Sequence, residues 1–243
     1  MKKILIFTSL FLFLFSSLSF AQDKKVAVVT FYVNKKINVG EFGATAAIAV
    51  DNLSNDPSFN MEPLLKSFHT QFFESYSKSF PFQLLPEAEV VNNDAYKAFV
   101  PVGVASSGIL DISKFTTVIP GYKVLLEKIA FHPNEKQMLK IFNQADGVMD
   151  VSISFKLVKI GFGGMGVVKV EAQANVALFN KSGDLVFSVD ESGRSKGVSP
   201  LVAGAPVITT EKILPMCESA MDDLMSELQK DMPKMVKKAD KKL

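Results

Sequence analysis

The sequence is poor in cysteine and in arginine, and both shortages narrow the functions that it can have. Cys217 is the only cysteine among 243 residues, so no disulfide can form within the chain and its stability must come from a hydrophobic core. Arg194 is the only arginine, although arginine is the usual side chain for gripping phosphates and base edges. We therefore expect no nucleic-acid partner.

Histidine is nearly as scarce, which bears on metal binding. The two histidines, His69 and His132, have no metal-like spacing, and no cluster of cysteines or carboxylates accompanies either of them in the sequence. His69 lies beside the apolar stripe of a predicted helix, which is typical of a boundary residue. His132 precedes Pro133 at a predicted helix start, where a capping role is expected. The sequence predicts neither a metal site nor a cofactor.

The amino terminus has the three parts of a secretory signal peptide. The basic pair Lys2–Lys3 is followed by an almost unbroken apolar run over Ile4–Phe15, and the small residues Ser19 and Ala21 come next. The run is shorter than the roughly 20 residues that span a bilayer. We therefore expect residues 1–21 to be removed and the chain to be exported to the periplasm or out of the cell.

Few features would tie the processed chain to a membrane. Gln22 stands where a lipoprotein needs a cysteine, and no later segment is long and apolar enough for a transmembrane helix. Removal of Lys2–Lys3 lowers the 27 basic residues to 25, equal to the 25 acidic ones. Residues 234–243 are rich in lysine and predict a disordered basic tail, with contact to an anionic membrane surface as a minor alternative.

Alternation with a period of two predicts the centre of the fold, which spans Asp146–Glu191. Apolar and polar residues alternate along Asp150–Leu157 and Val167–Phe179, as in an antiparallel sheet with one face in water. A turn at residues 180–184 then leads to a third strand at Leu185–Asp190. These three strands predict an antiparallel meander.

Other strands and helices complete the predicted sheet. Lys25–Val33 is apolar and β-branched, as in a strand buried on both faces, and Phe80–Leu85 is expected to lie parallel to it after a helical crossover. The small residues Ala172 and Ala174 in mid-strand indicate that a helix packs closely over the meander. Apolar spacing predicts helices at Glu62–Ser79, Ala88–Val100, Pro133–Asn143 and Glu211–Met232.

Residues 22–233 are therefore predicted to form a single α+β domain. Its single mixed sheet has a parallel strand–helix–strand half followed by the three-stranded antiparallel meander. Amphipathic helices, including a long C-terminal helix, cover this sheet. Residues 34–60 and 193–209, rich in small residues, are predicted to be long loops, and residues 101–131 show no readable pattern.

Several motifs suggest chemistry, but their settings argue against it. Gly161–Gly166 matches the GxGxxG pattern of dinucleotide sites, yet it precedes a predicted strand, whereas the pyrophosphate needs a helix N-terminus. Gly193–Gly197 matches the GxSxG nucleophile elbow around Ser195, yet no histidine follows it. Asp190–Glu191 and Asp222–Asp223 are adjacent carboxylates, which point in different directions. We therefore expect no enzymatic activity and predict no catalytic residue.

Three stretches carry a resemblance to a known group. They are the opening Val26–Phe31, the segment Ala145–Gly147 that leads into Val148–Phe155, and the hairpin Lys181–Val186. On these marks the chain resembles the small α+β domain of bacterial envelope proteins, including the TolB amino-terminal domain and the curli-secretion lipoprotein family. The resemblance implies an envelope role and supplies no catalytic residues. The chain departs from the curli-secretion lipoproteins in lacking the lipid-anchor cysteine.

Two functions are consistent with these observations. The first is an exported, non-catalytic binding or assembly module of the cell envelope, which binds another envelope component or associates with itself. The alternative is a periplasmic protein that binds a small molecule or a lipid in a pocket under residues 38–60 and 193–209. No individual binding residue is predicted from the sequence.

Overall fold

The computed structural model describes residues 24–102, 114–126, 132–161 and 166–243. The predicted signal peptide at 1–21 lies outside these ranges, as do the middle of the 161–166 glycine motif and much of 101–131. Within the described ranges, no helix is both long enough and apolar enough to cross a membrane.

The described residues form eight strands and six α-helices. The strands are β1 (Lys25–Asn34), β2 (Gln83–Leu84), β3 (Thr116–Val118), β4 (Gly147–Ile160), β5 (Val167–Asn180), β6 (Leu185–Arg194), β7 (Ser199–Val202) and β8 (Ala205–Pro206). The helices are α1 (Gly43–Asn55), α2 (Glu62–Glu74), α3 (Glu87–Val91), α4 (Asp94–Ala98), α5 (Pro133–Ile141) and α6 (Thr210–Met235), with 3-10 helices at Tyr76–Ser79 and Val236–Lys241.

The eight strands join in one mixed sheet. Strand β1 lies between β2 and β4 and runs parallel to both, while β4, β5 and β6 form an antiparallel meander. Short strands extend the two sides: β3 pairs with β1, β7 pairs with β5, and β8 pairs with β7. The predicted α+β class, with a parallel half, a meander and a long C-terminal helix, is confirmed.

The alternation along β4 and β5 gives the sheet two unlike faces. On the core face, Val151, Ile153 and Phe155 of β4 lie opposite Val176 and its neighbours on β5, and these side chains are buried. The positions between them form the polar face, which carries the cross-strand pairs Asp150–Ala177, Ser152–Asn175 and Lys156–Glu171.

Helix α6 covers the core face, as the small residues of β5 predicted. It packs on β5 and β6, where Ala172 and Ala174 of β5 are fully buried. A very close approach occurs at Gly193 of β6, where an added Cβ would lie 2.0 Å from the backbone nitrogen of Leu224 and 2.6 Å from the carbonyl oxygen of Ala220. Only glycine fits between these two backbones.

The prediction of a long loop at residues 34–60 is wrong, because these residues contain helix α1. This helix buries Ala46, Val50 and Leu53, which recur at intervals of four and three residues. Its apolar stripe is made of small residues, and its N-cap, Phe42, makes no side-chain capping bond. The helix therefore lacks the start signal and the large apolar residues that usually identify one.

The second predicted loop, residues 193–209, is also wrong. Strand β6 continues to Arg194, and β7 and β8 form a hairpin closed by the pair Val202–Ala205. Ala203 and Gly204, the two turn residues, have φ of 52° and 80°, which is the left-handed conformation that a two-residue hairpin turn requires. Alanine is a rare residue at the first of these positions, so the turn gave no recognisable signal.

The predicted disordered tail is a packed segment. Pro233 does not end α6, which runs to Met235 and is followed by a 3-10 helix. Val236 and Ala239 are buried because they continue the apolar stripe of α6, and the Lys24 ammonium donates a 3.0 Å hydrogen bond to the carbonyl oxygen of Leu243. Exposed lysines surround this stripe, which is why the composition resembled that of a solvated tail.

Replacing Gly193 with alanine is expected to lower the free energy of unfolding by about 3 kcal/mol, because the new methyl group meets backbone atoms that cannot move aside. Gly197→Ala is the matched control, since its Cβ would meet only the Met216 side chain at 3.5 Å, and it should change stability by less than about 0.5 kcal/mol. Urea unfolding of both variants tests this, and equal stabilities would contradict the close approach of α6 to β6.

Candidate functional site

A bulge in β1 determines which of its side chains reach the polar face. The pairing of β1 with β4 shifts register between Val28 and Thr30, so that Val28 lies opposite Met149 and Thr30 lies opposite Asp150. The extra residue, Val29, is absorbed at this point. Beyond the bulge, Thr30 and Tyr32 share the polar face with Asp150 and its neighbours on β4.

A cavity of about 140 Å³ lies on the polar face, and we name it the sheet-face cleft. Strands β1, β4, β5 and β6 form its floor, and its rim comes from Leu125 and from the start of α5. The lining residues are Thr30, Tyr32, Leu125, His132, Glu135, Asp150, Ser152, Asn175, Ala177, Phe179, Leu185 and Ser188.

One rim of the sheet-face cleft is fixed by hydrogen bonds to β1. The Thr30 hydroxyl donates to the carbonyl oxygen of Lys123 at 2.6 Å and accepts from the Leu125 backbone nitrogen at 3.3 Å. The Tyr96 hydroxyl donates to the Val29 carbonyl at 2.8 Å and accepts from the Lys123 backbone nitrogen at 2.7 Å. These bonds hold the segment that contains Leu125 against the sheet.

The other rim is the first turn of α5. The His132 ring lies 4.8 Å from the Phe179 ring of β5, and the Asn134 side chain accepts a 2.7 Å hydrogen bond from the Val102 backbone nitrogen. His132 occupies the N-cap position with φ of 49° and makes no side-chain capping bond. The predicted capping role of His132 is therefore wrong, and its ring instead lines the cleft.

Glu135 is the most unusual residue of the sheet-face cleft. It is 5% exposed, its Oε1 lies 3.7 Å from Nδ1 of His132, and its Oε2 is buried without a hydrogen-bond partner among the described residues. The N-terminal end of α5 favours its negative charge. A buried carboxylate oxygen without a donor nevertheless lowers stability, because the water that it has lost is not replaced.

The floor of the cleft adds a second carboxylate. Asp150 is half-buried beside Ser152, and burial together with the charge of Asp150 raises the pKa of the nearby Tyr96 hydroxyl. None of the described residues that line the cleft is lysine or arginine. The described lining residues therefore include two acidic side chains, Glu135 and Asp150.

Sequence reasoning missed this site because its parts are distant in the chain. Asp150 and Ser152 lie within a predicted strand and Glu135 lies within a predicted helix, and the sequence pattern singled out none of the three. The bulge that brings Tyr32 to the same face has no signal in the apolar run of β1. The described residues contain no group of three His, Cys, Asp or Glu side chains that could hold a metal ion.

His69, predicted to be a boundary residue, is half-buried beside the Phe31 and Phe73 rings, at 4.9 and 4.8 Å. Its Nε2 lies 3.0 Å from Oε1 of Glu87. This carboxylate could not be anticipated from the residues around His69, because it comes from α3. Neither His69 nor Glu87 lines the sheet-face cleft.

Ser195, Cys217 and the glycine motif have structural surroundings that do not suit chemistry. Ser195 is buried, and its hydroxyl accepts from the Val170 backbone nitrogen at 3.0 Å and donates to the Gly197 carbonyl at 2.8 Å. Cys217 is fully buried in the core, and burial raises the pKa of its thiol. The glycine motif at 161–166 is followed by strand β5, as predicted, and not by a helix.

The two segments proposed to cover a pocket do meet, in a wide groove between α1 and the start of α6. This groove, of about 340 Å³, is lined by residues that include Ala49, Asp56 and Thr210. The Thr210 hydroxyl donates to the Asp56 carboxylate, and this bond, followed by those from Ser58, lowers the pKa of Asp56. The groove is more open than the sheet-face cleft, and Asp56, one of its two carboxylates, already has partners.

Glu171, on the same polar face, shows how a buried carboxylate is normally satisfied. It pairs with Lys156 on β4 and with Arg194 on β6, each at 2.8 Å. Burial acts to raise its pKa, but the hydrogen bonds and charges of Lys156 and Arg194 outweigh burial and lower the pKa below its usual value. The only arginine of the chain thus holds a structural ion pair.

Glu171→Gln is expected to reduce the free energy of unfolding at pH 7 by about 1 kcal/mol, because both partners are partly exposed and screened. The folded-state pKa of Glu171 is lowered, so its contribution is present above the unfolded pKa of about 4.3 and disappears as the pH falls through the folded value. Urea midpoints from pH 3 to pH 7 should therefore converge for the two proteins at acidic pH. Glu191→Gln on the neighbouring strand β6 is the control and should show no such pH-dependent difference.

Glu135→Met is expected to raise the free energy of unfolding by about 1 kcal/mol, because it removes a buried carboxylate oxygen that lacks a donor. Glu211 is the matched control, since it also lies in the first turn of a helix but is exposed. Glu211→Met should lower stability by about 0.3–1 kcal/mol through the lost helix-dipole interaction. Thermal and urea unfolding test both, and a loss of stability in Glu135→Met would contradict this account of the cleft.

Comparisons with known proteins give only distant likenesses. No protein-family model and no curated protein matches the sequence. Among solved structures, the chain is similar to a neuraminyllactose-binding hemagglutinin homolog from Helicobacter pylori, with 11% identity, a TM-score of 0.39 and coverage of 90% of this chain and 88% of that one. It is also similar to lipoprotein GNA1162 from Neisseria meningitidis, with 12% identity, a TM-score of 0.27 and coverage of 84% and 99%. The resemblance to the TolB domain and the curli-secretion family stays a prediction.

Proposed function

We propose that this chain is an exported, non-catalytic binding protein of the bacterial cell envelope, and that a small molecule held in the sheet-face cleft is its ligand. The observation that carries the proposal is Glu135, whose buried Oε2 has no partner among the described residues. Natural proteins satisfy most buried polar atoms. Departures from that rule are concentrated at functional sites, where stability is given up for binding.

The construction of the sheet-face cleft supports a binding role. Its floor consists of four paired strands, and its rims are held by the hydrogen bonds of Thr30, Tyr96 and Asn134. Sites on rigid elements bind with little loss of conformational entropy. The cleft therefore needs little rearrangement before a ligand enters.

A catalytic role has less support among the described residues. Ser195, around which the sequence matches the nucleophile-elbow pattern, and Cys217, the single cysteine, are buried in hydrogen-bonded or apolar surroundings, and neither lines the cleft. Nucleophilic catalysis needs an exposed nucleophile within reach of a base. Binding without reaction accounts for the geometry with fewer assumptions.

The signal-peptide pattern of residues 1–21 supports the export of this chain, to the periplasm or to the cell exterior. An assembly role, with another envelope protein or a second copy of this chain as partner, also stays a hypothesis.

The C-terminal lysines bear on contact with a membrane surface. Lys237, Lys241 and Lys242 are exposed on the packed C-terminal segment. Contact with an anionic membrane surface therefore does not require a disordered tail.

A thermal-shift screen of the processed chain, residues 22–243, against small polar metabolites tests the proposal. A ligand present at 100 times its Kd stabilises the folded state by about 2.7 kcal/mol, or roughly 5–10 °C for a domain of this size. Ala177→Leu should abolish the shift by filling the sheet-face cleft. Ala49→Leu, which fills the groove between α1 and α6, should preserve it.

The two variants decide between the two cavities. A shift that survives Ala177→Leu and is lost in Ala49→Leu would place the ligand in the groove and contradict the sheet-face cleft. No shift across the whole panel would contradict small-molecule binding. Fractionation of cells that express the full chain, with Gln22 as the expected first residue of the exported form, tests the export half of the proposal.

A further inference from the structure

We infer that the ligand of the sheet-face cleft carries a primary ammonium group on a short aliphatic stem, and that Glu135 binds this group. The inference rests on the proposed function and adds the chemical class of the ligand. The charge of the cleft, the hydrogen-bonding capacity of Glu135, and the size and lining of the cavity all favour such a ligand.

Charge favours a cation. Glu135 and Asp150 both line the cavity, and the described lining residues include no lysine or arginine. The described lining residues also include His132, whose Nδ1 lies 3.7 Å from Oε1 of Glu135, and this contact leaves Oε2 without a donor. A buried carboxylate is stable as an anion when an opposite charge accompanies it.

Hydrogen bonding favours an ammonium with N–H groups. Oε2 of Glu135 is an acceptor without a donor among the described residues, and a quaternary ammonium cannot supply one. A primary ammonium has three N–H donors. One would bond Oε2 of Glu135, and the hydroxyl of Ser152 is an oxygen acceptor on the floor of the same cavity. The Thr30 hydroxyl is already used by Lys123 and Leu125.

The volume and the lining of the cavity limit the length and polarity of the rest of the ligand. The volume of about 140 Å³ is close to the roughly 150 Å³ of a cavity that accepts benzene, a ligand of six heavy atoms. Leu125, Ala177 and Phe179 give the cavity an apolar wall. A stem of two to five carbons, as in an amino alcohol or a short diamine, fits both limits.

Calorimetric titration with putrescine and ethanolamine tests the inference. 1,4-Butanediol serves as the neutral probe, and choline serves as the cation without an N–H donor. The wild-type chain should bind the two primary amines, and both control probes should bind at least roughly 10-fold more weakly. Binding of butanediol or choline as tight as that of the amines would overturn the inference.

Glu135→Gln should weaken amine binding by roughly 10- to 100-fold, because it keeps the shape of the side chain and removes its charge. Glu211→Gln is the control and should bind as the wild type does. A circular dichroism spectrum and a melting temperature equal to or above the wild-type value show that the Glu135→Gln substitution leaves the fold intact. Unchanged amine affinity in this variant would overturn the role of Glu135.

A further experiment distinguishes the two sources from which the amine could come. Flotation with phosphatidylethanolamine vesicles, compared with phosphatidylcholine vesicles, distinguishes a lipid headgroup from a free amine. Glu135-dependent binding to either amine source supports the inference.

Other ligand classes would contradict the inference. Tight binding of Ca²⁺ or Mg²⁺ without any amine binding would overturn it. A neutral ligand that binds in an Ala177→Leu-sensitive manner, with no amine bound, would overturn the ammonium class and leave the proposed function standing. Failure of every probe and of the metabolite panel would overturn both.

Discussion

The antiparallel pairing of β4 with β5 is the constraint on which the rest of the structure depends. Each strand has 14 residues, and every residue of one is paired with a residue of the other. Because side chains alternate between faces, a slip of one residue would exchange the core face for the polar face. The register thus fixes the surface that α6 covers and the surface that holds the cleft. The bulge at Val29 brings β1 into the same phase.

The polar face contains two buried glutamates with opposite surroundings. Glu171 accepts hydrogen bonds from Lys156 and Arg194, which lie beside it on the neighbouring strands. Glu135 reaches the sheet from α5, and its Oε2 has no described donor. A carboxylate that completes its own partners inside the fold contributes to stability, whereas one that does not has a binding capacity left over. This difference, and not burial alone, distinguishes the cleft from the ion-pair triad.

Much of the fold could be predicted from the sequence because its signals are local. Period-two alternation located β4 and β5, and the small residues Ala172 and Ala174 anticipated the helix above them. The failures have local causes as well. The stripe of α1 consists of small residues, and the turn at Ala203–Gly204 lacks the asparagine or aspartate that usually marks it.

The site could not be predicted from the sequence for a different reason. Glu135, Asp150 and Tyr32 come from three separate elements, and their combination depends on the strand order and on the β1 bulge, which are tertiary properties.

The position of the cleft follows from how a half-covered sheet must be built. Covering both faces with helices would have required apolar residues at every position of β4 and β5, and a sheet with one polar face can instead leave polar side chains partly open to water. Where α5 and the segment around Leu125 partly cover that face, they enclose side chains selected for solvent. Thr30 is hydrogen-bonded to Lys123 and Leu125 within the fold, whereas the buried Oε2 of Glu135 has no donor among the described residues. We infer that a site of this kind selects for charge before shape, and that Glu135 and Asp150 favour a positively charged ligand.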